Sequence, residues 1–207
     1  MIERGRKAID ILFDLKRFIP AFVETSKLSR SQGIHSQSSK IDTLLIRGLA
    51  WRQLCLPLLT ALGRQSVNSS REVRQVAILQ LQRLLLGPHI LLEDANQSQV
   101  EEAFNKIVFP LLDELLKPEV FNRDPAGMPE TRLRASALLS KTFMQLEVKD
   151  GETQADIRVI WIQILDLLDR LMNIGRGDQL VGIYLHSLIL ELMSFLFTLS
   201  TRQFRNR

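Results

Sequence analysis

The sequence predicts an all-α protein in which stacked helix pairs share one elongated core. Three observations carry this. Apolar residues recur at helical spacing nearly throughout, and alternating runs punctuated by turn dipeptides are missing. The 207 residues, 45% of them hydrophobic, are enough for one core of ordinary size. The chain also resembles itself at a period of about 55 residues, too long for a heptad and suited to a two-helix unit.

The first helix is expected from about Glu3 to Val23, with Ala8, Ile11, Leu12, Leu15, Ile19 and Phe22 as its apolar stripe and Pro20 bending its last turn. Composition then changes. ETSKLSRSQGIHSQSS, from Glu24 to Ser39, is Ser-rich with little to bury and reads as a mobile linker. Ile41 to Ala50 resumes the helical pattern. The predicted organisation is thus an N-terminal helix at 1–23, a linker at 24–40 and a repeat domain at 41–207.

Within the repeat domain, Trp51, Leu54, Cys55, Pro57, Leu58, Leu59 and Leu62 shifted by 53 become Phe104, Ile107, Val108, Pro110, Leu111, Leu112 and Leu115. A further shift of 57 reaches a degraded copy at Trp161, Ile164, Leu165, Leu167, Leu168, Asp169 and Met172. Each first helix leads to a second that opens with polar residues: Ser70-Arg71-Glu72-Val73-Arg74, then Pro129-Glu130-Thr131-Arg132-Leu133-Arg134. Val73-Arg74 pairs with Leu133-Arg134 at a shift of 60, and the loop with Pro118, Pro125 and Pro129 absorbs the extra length. In the third copy Gly175 and Gly177 close the first helix and Asp178 caps the second. The units fall at about 51–86, 104–145 and 161–199. A proline in the first helix and an arginine early in the second are the grammar of HEAT/armadillo-like α-solenoids, here about three pairs plus the N-terminal helix. The repeat positions that define the register are Trp51, Pro57, Phe104, Pro110 and Trp161.

Little in the chain points to catalysis. Cys55 is the single cysteine, so intrachain disulfides and a cysteine zinc site are excluded, and its place on the apolar stripe makes it a small hydrophobe. His35, His89 and His186 share no metal-ligand spacing. Phosphate-binding, dinucleotide and nucleophile-elbow motifs are absent, and no cofactor is implied. Lys plus Arg is 27 against 23 for Asp plus Glu, a diffuse excess that leans to residues 1–50, where 9 basic residues face 5 acidic, and gives no case for nucleic acid. The charged N-terminus lacks the apolar run of a secretory signal. Leu180 to Thr201 is long enough to span a bilayer, but Glu191 near its middle would cost roughly 2.5–3.5 kcal/mol. Ser187, Glu191, Ser194 and Thr198 form one polar stripe, so this is expected to be a buried helix with one wet edge and something packed over its apolar remainder.

The most suggestive polar set is Arg71, Arg74, Arg132 and Arg134, with Arg83 nearby. Corresponding places in two helix starts would align these arginines along one edge for an acidic partner or lipid phosphates. The competing reading is pairing within the stack, to Glu72, Glu130 and neighbouring repeats.

Trp51 through Pro57-Leu58-Leu59, SREVRQVAILQLQRLLL at 70–86, FNKIVFPLLDELL at 104–116 and above all ETRLRASALLSKTF at 130–143, followed by Trp161 and DLLDRLM at 166–172, resemble the C-terminal region of the large Golgi ARF guanine-nucleotide exchange factors of the brefeldin-A-resistance factor/Gea group. The similarity covers roughly residues 45–175. In that family exchange belongs to a Sec-seven domain, which no segment here resembles. The resemblance therefore implies a non-catalytic, regulatory or scaffolding helical segment from downstream of that domain. It also implies action in ER–Golgi vesicle traffic and a cytoplasmic location peripheral to early (cis) Golgi membranes. Expected partners are the rest of the exchange factor, small GTPases of the ARF or Rab type, an anionic membrane surface and a second copy as a homodimer. The alternative is a generic HEAT-type interaction scaffold unrelated to ARF.

Overall fold

A computed structural model describes residues 2–31, 46, 48–87, 97–144, 154–174 and 179–205, which are helical apart from short turns and contain no strand. Helices α1 (Ile2–Asp14) and α2 (Phe18–Ser31) are joined by a 3-10 turn at Leu15–Arg17. Helices α3 (Leu56–Gln65) and α4 (Arg71–Leu85) form the first pair. After them come α5 (Gln97–Ala103), α6 (Phe109–Leu116), a short α7 (Pro118–Phe121) and α8 (Met128–Met144), and the third pair is α9 (Gln154–Ile174) with α10 (Gln179–Arg205). One layer runs α3, α6, α9 and the other α1, α4, α8, α10, each helix packed on the next, α3 through the helical turn at Phe104–Val108 that leads into α6. The all-α repeat architecture expected from the sequence is the one observed.

Two prolines explain how the first helices are built. Five-residue π turns at Trp51–Cys55 and Phe104–Val108 stand just before Pro57 and Pro110. A proline inside a helix has no N–H and its ring strikes the carbonyl four residues back. Widening the turn relieves the clash: Leu56 N–H reaches Trp51 O and Phe109 N–H reaches Phe104 O, both five residues back. Helix α9 has no proline and no such turn.

Burial corrects the third copy's register. The buried sets are Trp51, Cys55, Leu58, Leu59, Leu62, then Phe104, Val108, Leu111, Leu112, Leu115, then Ile160, Ile164, Leu167, Leu168, Leu171. These align at shifts of 53 and 56, so Asp166, not Leu167, stands where the prolines do. Leu165 is exposed and Trp161 half-buried for the same reason. Second helices also realign: Val73, Arg74, Ala77, Ile78, Leu81 and Leu85 match Thr131, Arg132, Ala135, Ser136, Leu139 and Phe143 at a shift of 58, not 60. Arg74 corresponds to Arg132, and Arg134 points out.

The N-terminal segment also departs from expectation. Helix α1 packs on α4 through Ile9, so it belongs to the stack, and Gly5 allows the approach: a Cβ there would lie 2.9 Å from Val73 Cγ2. Ala8, Ile11 and Leu15 are exposed, which rotates the buried stripe to Ile9, Leu12 and Phe13. Helix α2 continues to Ser31, so the first eight residues of the expected linker are helical. Residues 32–40 lie outside the described residues, as do Gly175, Gly177 and Asp178.

Helix α8 sits at the centre, touching α4, α6, α9 and α10. Its buried Ser136, Ser140 and Thr142 hydroxyls donate to the carbonyls of Arg132, Ser136 and Leu138 at 2.8, 3.2 and 2.8 Å, which satisfies them without bulk. Beyond it, Phe143 meets Trp161 and Phe195 with ring centroids 5.7 and 6.0 Å away.

Candidate functional site

The polar centre of the molecule lies where α4, α8 and the turn at 122–127 converge. Arg74 is 0% exposed. Its Nη2 donates to Asp124 Oδ2 at 2.5 Å, its Nε to Thr131 Oγ1 at 2.9 Å and its Nη1 to the Asn68 carbonyl at 2.8 Å. One side chain thereby satisfies a free carbonyl after α3 and ties the first pair to the second. Arg71 grips the same carboxylate with Nε and Nη2 at 2.9 and 2.7 Å, and Gly127 N–H adds a bond to Asp124 Oδ1 at 3.1 Å. Arg71 and Arg74 hold the Asp124 carboxyl well below the usual carboxylate range.

Its counterpart Arg132 is 8% exposed. Arg132 Nε donates to the Leu115 carbonyl at the end of α6 at 2.8 Å, and the guanidinium lies 4.5 Å from the Phe121 ring centroid. Burial pulls its pKa down. Arg134 and Gln75 meet at Glu130, which accepts from them at 2.7 and 3.0 Å. The four arginines thus do not form one open edge: Arg74 and Arg132 are interior struts, and Arg71 and Arg134 keep part of their surface. Sequence spacing could not separate these roles, because it does not show which way each side chain turns. Asp124 was missed altogether; its only signal was an aspartate opening the Asp-Pro-Ala-Gly turn before α8.

The repeat positions are structural. Trp51 is buried and its Nε1 donates to Glu102 Oε2 at 2.7 Å, while Lys106 and this indole hold the Glu102 carboxyl below its ordinary value. Phe104 is buried, Pro57 and Pro110 face outward, and Arg170 of α9 reaches Asp113 of α6 at 2.8 Å. Burial pushes the Cys55 thiol up to about 11, so it stays protonated and inert. Among the described residues no group of His, Cys, Asp and Glu is arranged to hold a metal ion, and no helix is long and apolar enough to cross a membrane. His186 is exposed; His35 and His89 lie outside the described residues.

Among the described residues two apolar surfaces stay open. Ser187, Glu191 and Ser194 do form a wet edge on α10, but Ile183, Leu190, Met193 and Phe197 are exposed too, as are Ile162 and Leu165 of α9. At the other end, Leu15 and Phe18 border a groove against α3.

Residues 55–195 match a family model described as the GBF1-like, tetratrico peptide repeat region. The pair spacing of 53–58 residues exceeds the 34 of ordinary tetratricopeptide units. The chain is 29% identical over 150 residues to the Golgi-specific brefeldin A-resistance guanine nucleotide exchange factor 1 homolog of Caenorhabditis elegans, covering 72% of this chain and 7% of that protein. It is 26% identical over 183 residues to the ARF guanine-nucleotide exchange factor GNOM of Arabidopsis thaliana, covering 86% of this chain and 12% of that protein. The chain therefore spans about a tenth of the length of these relatives. No solved structure matches. With the family model covering most of the stack, the chain belongs to the GBF1-like tetratrico peptide repeat region, a helical segment of ARF guanine-nucleotide exchange factors of the GBF1 type.

Proposed function

We infer that this chain is a non-catalytic regulatory and scaffolding segment of an ARF exchange factor, working at the cytoplasmic face of early Golgi membranes in ER–Golgi traffic. The observation that carries the reading is the family match over residues 55–195 within proteins of which the chain spans about a tenth. Buried arginines joining one pair to the next suit a rigid spacer that positions other domains, with its remaining surface left for partners and for membrane recruitment.

Nucleotide release from ARF, measured with the purified chain alone and with an exchange factor carrying or lacking this segment, tests it. The chain alone leaves release unchanged. The deleted factor keeps exchange in solution and loses Golgi recruitment in cells. Dose-dependent exchange by the isolated chain, or normal recruitment of the deleted factor, overturns the assignment.

A further inference from the structure

Between the α1–α2 turn and the outer side of α3 lies an open groove of about 290 Å³, lined chiefly by Leu15, Phe18, Leu54, Pro57, Leu58 and Ala61. It exists because α3 packs forward, with Gly63 against Ile107, while its other side is only partly covered by the turn. Leu15 and Phe18 are 45% and 52% exposed at its lip, and Ile11, 64% exposed, extends the apolar strip along α1.

We propose that this groove receives the apolar face of an acidic amphipathic helix from a protein partner. Its volume is at the lower limit for small-molecule sites, and it is open along one side, which suits inserted side chains better than an enclosed ligand. The charge around it selects the partner. Lys16 and Arg17 interrupt the lining segment on one wall, and Arg64 stands one turn past Ala61 on the other. None of the three has an ion-pair partner among the described residues. The Arg17 guanidinium lies 5.2 Å from the Phe18 ring, which keeps this charge beside the apolar lip, while Lys16 rests 3.7 Å over Phe13, outside the groove lining. Asp10 and Asp14 project about 170° and 130° around α1 from the Leu12–Leu15 direction and do not neutralise the rim. Over residues 2–31 the balance is 7 basic to 4 acidic. Glutamates flanking a Leu/Phe stripe would meet this rim while the stripe fills the groove. A flat bilayer would touch Ile11 and Phe18 and leave the floor against Leu54 and Pro57 unused.

The test uses the whole chain and two synthetic amphipathic peptides with one Leu/Phe stripe, flanked by glutamates in one and by lysines in its twin, read by fluorescence anisotropy. The glutamate peptide binds tighter by about tenfold or more. Arg17→Glu with Arg64→Glu, both exposed and remote from the core, reverses the preference, and Leu15→Glu abolishes binding with the circular dichroism unchanged. Equal binding of the twins, a preference that survives the double reversal, or flotation with phosphatidylserine vesicles in the absence of peptide binding overturns the proposal. It does not depend on the ARF assignment, and the exchange assay is unaffected by its failure.

Discussion

Asp124 holds the buried guanidinium of Arg74 at 2.5 Å across 50 residues of sequence, and that contact bridges two helix pairs. Removing one partner of a buried pair leaves the other charge or its carbonyl acceptors stranded. Arg74→Ala should cost about 3–5 kcal/mol in urea unfolding, far more than an exposed arginine. Asp124→Asn should shift the midpoint in the same direction. A midpoint within error of the unsubstituted chain for Arg74→Ala would mean that the two pairs hold together without the bridge.

The same carboxylate sets an acid dependence. Its folded pKa lies below the ordinary value near 4, so its contribution is complete above that value and is lost as pH falls through the folded pKa. Urea midpoints should fall as pH drops from about 5 toward 2, and the fall should be shallower in Asp124→Asn. Parallel profiles for the two proteins would assign the acid sensitivity elsewhere.

Gly127 is needed for room. A Cβ there would lie 2.3 Å from both Arg71 Nε and Asp124 Oδ2. Gly127→Ala should destabilise by about 1–3 kcal/mol, as overpacking does. Adding Arg71→Ala should recover part of the loss, because it vacates the contested space; strictly additive thermal shifts would argue against this clash.

Aromatic positions should rank by burial. Phe104→Ala should cost roughly 3–5 kcal/mol. Trp161→Ala should cost less, since the ring is half-buried at the edge of the core, tilted against Phe143. Arg83→Ala, on the surface, should stay within about 0.5 kcal/mol. Guanidinium titrations of the three variants check the order.

Docking of α1 should hinge on one close contact. Gly5→Leu should loosen α1 from α4, because Val73 is stiff at χ1 and its methyl already stands where the new Cβ would go. Hydrogen exchange should then quicken along α1 and leave α8 protected. Uniform acceleration across both helices would show that α1 is not a separable element.

The sequence by itself determined the helical class, the pairing of helices and the register between the first helices of the first two repeats, because a 3.6-residue apolar period and matched prolines are local signals. Its strongest strings, REVR at 71–74 and ETRLR at 130–134, also marked the arginine positions that matter. Tertiary structure decided the rest. Whether an arginine turns inward depends on an acceptor supplied from elsewhere in the chain: Asp124 for Arg74, the Leu115 carbonyl for Arg132. The third register slipped by one because Trp161 matches Trp51 and Phe104 in residue type while its neighbour Ile160 takes the buried place, a choice made by the packing partner. The stripe on α1 rotated because Gly5 lets it settle on Val73, and a helix's buried face is chosen by the neighbour it meets as well as by its own periodicity.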